Sequence, residues 1–413
     1  MFYAVIGVLM IVYLFQLFVS ILNHRYRKHP IAENIRDIYD AERYQKWLDY
    51  SLDNHRFSMI EKGFSLLVMI LLLIFNVFGF LAEFTGTLSQ SVLVSNLLFI
   101  GIYVGFESIL GIPFEYYKDF VIEAKYGFNK TTKNTFVVDQ IKNLGLFVIL
   151  GGGMVSLLYI PYNLFIDDIW RFALFTWLGA LLVVFVIIAV LSKLLIRVFN
   201  KLTPLQEGTL RNRIEALATK AGFNLKALYV MDASKRTTKL NAFFSGMGKM
   251  KEVVLYDNLI AKMNDDEIVS VLAHELGHSA HKDTLRIFFQ QALVFGLFAV
   301  LFGLIFQGTE LYTAFGFNGI HFGFGLILFG ILVSPITLLF GIPLSYLSRK
   351  AEYKADSFAV RLTGKDSMIS ALKVLSREVL VNLNPHPLAV LLYYSHPPMR
   401  ERVAAIEALP SKS

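Results

Sequence analysis

Residues 274–278 read His274-Glu275-Leu276-Gly277-His278, an HExxH pattern. On a helix the two imidazoles lie one turn apart on the same face, so both can bind one metal ion. Glu275 points near that side and can act as general base on a water at the ion. Zinc (Zn2+, one per chain) is the expected metal, because it accepts His and carboxylate ligands and keeps a position open for water. So short a pattern also arises by chance. Here an apolar run, 268–273, precedes it, and the whole stretch reads as a helix.

A catalytic zinc site needs a third protein ligand. In the segment 348–356, Glu352 and Asp356 stand four residues apart. Glu352 is the candidate ligand. Asp356 would face the same site and can hydrogen-bond the far nitrogen of a metal-binding His, fixing its tautomer. In isolation this segment would read as a solvated helix face with Glu–Lys pairs. The oxyanion of a peptide-hydrolysis intermediate also needs a donor. His396 is the better candidate for it, ahead of His386, with Arg402 as a nearby charge partner. His281 lies too far along the helix to join the ion and reads as a surface or supporting residue, as does Asp283. His24, His29 and His55 fall in a basic loop and read as solvated.

The elements that must position these groups are legible. The metal helix is expected over 265–281, with Asn264 as N-cap and acidic residues in its first turn. Before it, 203–222 reads as an amphipathic helix, 228–231 and 251–256 as strands, 241–244 as a third strand, and 245–248 as a turn. After 347 the tail reads as mostly helical, with a break at 382–387.

Composition places this site in a membrane protein. Of 413 residues 55% are hydrophobic and only 17% charged, against about 25% charged in soluble proteins. Mean hydropathy is +0.55. There is no cysteine, which removes disulfides, thiolate nucleophiles and Cys-based zinc sites. Seven stretches can span a bilayer: 2–22, 64–81, 92–110, 144–162, 172–195, 287–306 and 322–347. Lys and Arg crowd alternate loops while the others are nearly bare, which puts the N-terminus outside and the site with the C-terminus in the cytosol. The net charge of +7 follows from those loops and calls for no nucleic acid. The expected parts are 1–198 (five spans with their loops), 199–285 (a cytosolic zinc protease domain), 286–347 (two spans) and 348–413 (the rest of the protease domain). The fold class is mainly α, with a small sheet.

These motifs together resemble the type I CAAX prenyl protease family, integral-membrane zinc endopeptidases of the ER and of bacterial membranes. The resemblance covers nearly the whole chain. It runs through 120–132, 240–246, the HExxH pattern, 348–356, and Ser395-His396-Pro397-Pro398 followed by Glu401-Arg402. It implies seven helices enclosing a water-filled chamber, capped by a gluzincin-like protease domain. It implies an enzyme that removes the last three residues of a prenylated CAAX protein or peptide. Carried over by position, His274, His278 and Glu352 bind zinc, Glu275 is base and acid, and His396 stabilises the oxyanion. Asn241, Ala242 and Phe243 would belong to the edge strand that pairs with the substrate backbone. Eukaryotic members usually carry Trp where Ser279 stands, which, with the short chain, points to a bacterial member.

Two other readings fit parts of the sequence. A quality-control zinc protease for membrane proteins would use the same chemistry, usually with fewer spans. A channel or transporter with an incidental HExxH would show charges scattered within several spans, whereas here Glu107 is the clearest one.

Overall fold

The computed structural model describes residues 1–187, 192–245 and 250–410. Most of the turn expected at 245–248, and residues 188–191 of the fifth expected span, lie outside the described residues.

The membrane half is built from α1 (Phe2–Tyr26), α2 (Ala41–Ile74), α3 (Val77–Leu88), α4 (Val92–Tyr117), α5 (Lys133–Leu146), α6 (Gly152–Phe165), α7 (Ile169–Val186) and α8 (Ser192–Phe199). A π-helical stretch, Lys118–Glu123, extends α4, and another, Phe147–Gly151, joins α5 to α6. Counting such joined helices as one, seven among the described residues are long and apolar enough to cross a membrane. Their outer faces are apolar and bare, as lipid contact requires: Leu293 is 75% exposed and Trp170 72%. The second span differs from its expected bounds. The helix stops at Ile74, Asn76 turns left-handed, and α3 starts afresh. Hydropathy alone runs through this break, because both sides of it are apolar.

The other half holds β1 (Leu202–Pro204), α9 (Thr209–Lys220), β2 (Asn224–Met231), β3 (Ala242–Ser245), β4 (Met250–Tyr256), α10 (Asp257–Lys262) and α11 (Asp265–Ala280). The expected helix over 203–222 is therefore shorter by its first turn and a half. Leu202–Pro204 pairs antiparallel with β2 instead, because strand partners outweigh local helical periodicity. The sheet order is β1-β2-β4-β3, with β2 and β4 parallel and β3 an antiparallel edge. In α11 the Asn264 side chain accepts from the Glu267 N–H while the Glu267 carboxylate accepts from the Asn264 N–H, a complete capping box.

Then follow α12 (Asp283–Ile305), α13 (Thr309–Thr313), α14 (Phe322–Thr363), α15 (Lys365–Glu378), α16 (Pro387–Tyr393) and α17 (Met399–Glu407). The last span and the Glu352 segment are one continuous helix of 42 residues, about 60 Å long at 1.5 Å per residue. The expected boundary at 347/348 falls inside it. Pro335 and Pro343 sit within its apolar part, where packing against neighbours tolerates the lost hydrogen bonds.

Two large apolar clusters hold the halves. One surrounds α11 and includes Ile268, Leu272, Leu276, Ile214 and Val253. The other joins α4, α7, the end of α12 and α14 through Phe99, Phe172, Phe306 and Phe324. Between the spans lies a cavity of about 800 Å³, lined by Tyr13, Glu61, Lys62, Tyr103, Met154 and Ser334 among others.

Candidate active site

Helices α11 and α14 cross at Gly277, where a Cβ would lie 2.9 Å from the Ala355 Cα. This close crossing lays Glu352 across the two histidines. His274 Nε2 and His278 Nε2 are 3.2 Å apart. Glu352 Oε1 lies 3.3 Å from His278 Nε2, and Oε2 lies 3.4 Å from His274 Nε2. Among the described residues this is the group of His and carboxylates whose atoms converge as metal ligands do.

The donor set fits zinc. Ligands about 2.0–2.1 Å from a tetrahedral ion stand about 3.3 Å from one another, close to the three separations above. Glu352 is buried, yet its Oε2 has no aligned hydrogen bond. His396 Nδ1 lies 2.8 Å from that oxygen without the alignment of a hydrogen bond, so a lone pair remains for a cation to satisfy.

Each histidine is held from behind by a carboxylate. His274 Nδ1 is 2.8 Å from Asp356 Oδ1. Asp356 in turn accepts two bonds from Arg402, at 2.9 Å from Nε and 2.6 Å from Nη2. Arg402 Nη1 stands 3.5 Å from Glu352 Oε2. His278 Nδ1 is 2.9 Å from Asp283 Oδ2. A proton on each Nδ1 leaves both Nε2 lone pairs facing Glu352. By sequence Asp283 reads as a surface or a supporting residue. The signal was its place just past the helix end, where one turn of chain can bring it back.

The electrostatics follow from this packing. Burial alone would lower His278, but the Glu352 and Asp283 carboxylates outweigh it and push it up to about 9. Burial likewise opposes a charge on His274, and Asp356 and Glu352 overcome it, so its pKa is raised. Burial raises the Glu275 carboxyl, and His274 and His278 pull back against that rise. Such a carboxyl is more basic than an exposed one, as a general base should be.

The remaining histidines serve elsewhere. His281 Nδ1 is 2.8 Å from the Gly277 carbonyl oxygen. His386 caps α16, accepting from the Leu388 N–H. His24 and His55 read as solvated by sequence, but their rings stack 4.0 Å apart, because the C-terminal end of α1 packs against the interior of α2. On the sheet, β3 is one of two edge strands, and it packs against α11. Asn241 Oδ1 accepts from the Ala242 N–H, and Phe243 pairs with Val254.

Residues 20–201 match the family model for the CAAX prenyl protease N-terminal region, five membrane helices. Residues 204–409 match the model for peptidase family M48. A rice protein (Oryza sativa subsp. japonica), CAAX prenyl protease 1 homolog, is 33% identical over 99% of this chain and 98% of its own. The chain belongs to peptidase family M48. A further relative, CAAX prenyl protease 1 of Saccharomyces cerevisiae, is 30% identical over 93% of this chain and 89% of its own. The human CAAX prenyl protease 1 homolog is 30% identical over 96% and 93%. The crystal structure of S. mikatae Ste24p superposes with a TM-score of 0.92 at 28% identity, covering 98% of both chains. These relatives are eukaryotic and lend no weight to the bacterial source that Ser279 suggested. As an M48 member the chain is a metalloprotease, and the matched region of five membrane helices, with the seven long apolar helices, makes it a multi-pass membrane protein.

Proposed function

We propose that this chain is a zinc endopeptidase that removes the C-terminal tripeptide of prenylated CAAX proteins or peptides. The observation that carries this is the convergence of His274, His278 and Glu352 at 3.2–3.4 Å in a chain that matches CAAX prenyl proteases along its whole length. His274, His278 and Glu352 hold the ion. When bound, zinc supplies Lewis acidity toward the scissile carbonyl and acidifies a water.

The chain's own residues do the rest. The Glu275 carboxylate takes a proton from the attacking water and returns it to the leaving amine. His396 donates to the developing oxyanion; it is largely exposed and stands beside Glu352. Asp356 and Arg402 keep His274 in the tautomer that presents Nε2. The outer edge of β3 at Ala242 and Phe243, with Asn241 just before it, pairs with the substrate backbone, whose bonds are indifferent to side chains. The bilayer supplies the prenylated substrate. The loop charges favour an N-terminus outside or in the lumen and a site on the cytosolic face, in a bacterial inner membrane or the ER. Residues 199–285 and 348–413 act as one protease unit, which 1–198 and 286–347 set in the membrane.

The test compares a farnesylated CAAX peptide with its unprenylated counterpart, using wild type and Glu275→Gln alongside metal analysis. Wild type should release the tripeptide from the farnesylated peptide. Glu275→Gln should lose at least about 100-fold in rate while keeping its zinc. Full activity in that variant would sink the proposal, and equal cleavage of both peptides would favour a quality-control protease.

A further inference from the structure

We propose that Asp283 and Arg286 are positioning residues for His278, fixing the metal site to the two membrane helices that meet beneath it. The inference rests on His278 being a metal ligand. It adds what holds that ligand.

Asp283 is the first residue of α12, and it is buried, 5% exposed. Lys282 before it adopts a left-handed backbone, φ 57°. That turn reverses the chain between α11 and α12 and brings Asp283 back under His278 within five residues. One Asp283 oxygen, Oδ2, lies 2.9 Å from His278 Nδ1. The other, Oδ1, lies 3.4 Å from Arg286 Nη2. Arg286 Nη1 then donates to the Leu347 carbonyl oxygen at 3.3 Å. Leu347 stands five residues before Glu352 on the same helix. The contacts therefore close a ring: His278, Asp283, Arg286, Leu347 and, through α14, Glu352.

The two histidines are thus supported differently. His274 leans on Asp356, beyond the apolar part of α14, and on Arg402 of α17, and these stretches pack into the cluster around α11. His278 leans on the start of one membrane helix, and that start is tied to the end of the apolar part of another. Any change in the spacing of α12 and α14 acts on His278 first. A carboxylate behind a metal-binding histidine fixes ring and tautomer and raises ligand basicity. Removing one typically costs 10–100-fold in metal affinity.

Asp283 also carries a negative charge in the first turn of α12, where it favours the helix dipole. A purely structural role there would leave the metal's coordination unchanged. The experiment therefore measures zinc retention against a chelator in full-length protein, and the visible spectrum of the cobalt-substituted form. Variants are Asp283→Asn, Asp283→Glu and Arg286→Gln, with His278→Ala as control. Asp283→Asn should hold zinc about 10–100-fold more weakly and shift the cobalt bands. Asp283→Glu, which keeps the charge, should recover part of both. Unchanged affinity and an unchanged spectrum in Asp283→Asn overturn the proposal. Should that variant fail to fold, Arg286→Gln decides: several-fold faster zinc loss supports the proposal, and wild-type retention refutes it. Failure of the underlying reading looks different, since wild type would then hold no zinc or His278→Ala would keep it.

Discussion

Gly277 rests on Ala355 so closely that a methyl group on Gly277 would sit 2.9 Å from the Ala355 Cα and 3.2 Å from its carbonyl oxygen. Backbone meets backbone here, and the contact sets the distance between α11, which carries both histidines, and α14, which carries Glu352. Gly277→Ala should therefore push the helices apart. Overpacking of this kind costs about 1–3 kcal/mol, and zinc retention should fall with it. Thermal unfolding and chelator competition read the two effects. Wild-type values in both would refute the crossing as the determinant.

Arg402 is buried against Asp356, which it grips with two nitrogens. Removing one partner of a buried pair leaves the other charge uncompensated, at a cost of about 3–5 kcal/mol. Arg402→Met should lower the unfolding midpoint markedly and weaken zinc. Arg402→Lys should rescue only part, because an ammonium cannot reproduce the two-pronged grip. Full rescue by lysine would show that charge alone matters.

His396 is 64% exposed in its side chain and touches the site through Glu352. Its loss should leave fold and metal intact. His396→Ala should lower kcat about 10²–10³-fold, as removal of an oxyanion donor does, with zinc content unchanged. Loss of zinc in step with activity would instead make it a support for Glu352.

Chelator-treated protein should show His278 titrating far above its ordinary 6.5, near 9. Its pKa is raised by folding, so the folded chain holds a proton that the unfolded chain releases. That stabilisation is complete below about 6.5 and is lost as pH rises through about 9. Zinc must displace the same proton, so zinc affinity should climb with pH across that window and then level off. A flat affinity from about pH 6.5 to about pH 9 would contradict the pairing of His278 with Glu352 and Asp283.

Much of this protein was legible from residue order. The spans follow from apolar runs, and α11 follows from its cap, its acidic first turn and its 3.6-residue period, all of them local signals. The α3 break at Asn76 and the strand at Leu202–Pro204 were not legible. The first depends on one left-handed residue between two apolar stretches, and the second on a partner, β2, more than 20 residues away.

For the site, sequence alone determined which residues offer metal-binding chemistry, because HExxH fixes two ligands by helix period. It also marked Glu352, Asp356, His396 and Arg402 as residue types that could complete the site. Only tertiary structure decided their distances. The approach of α14 depends on a glycine with no chemistry of its own, whose value lies in the side chain it lacks. The support of His278 by Asp283 depends on a left-handed turn at Lys282 and on the packing of the start of α12 beside Leu347 of α14. Sequence period fixes what shares a helix face. What lies across from that face is fixed by packing between elements far apart in the chain.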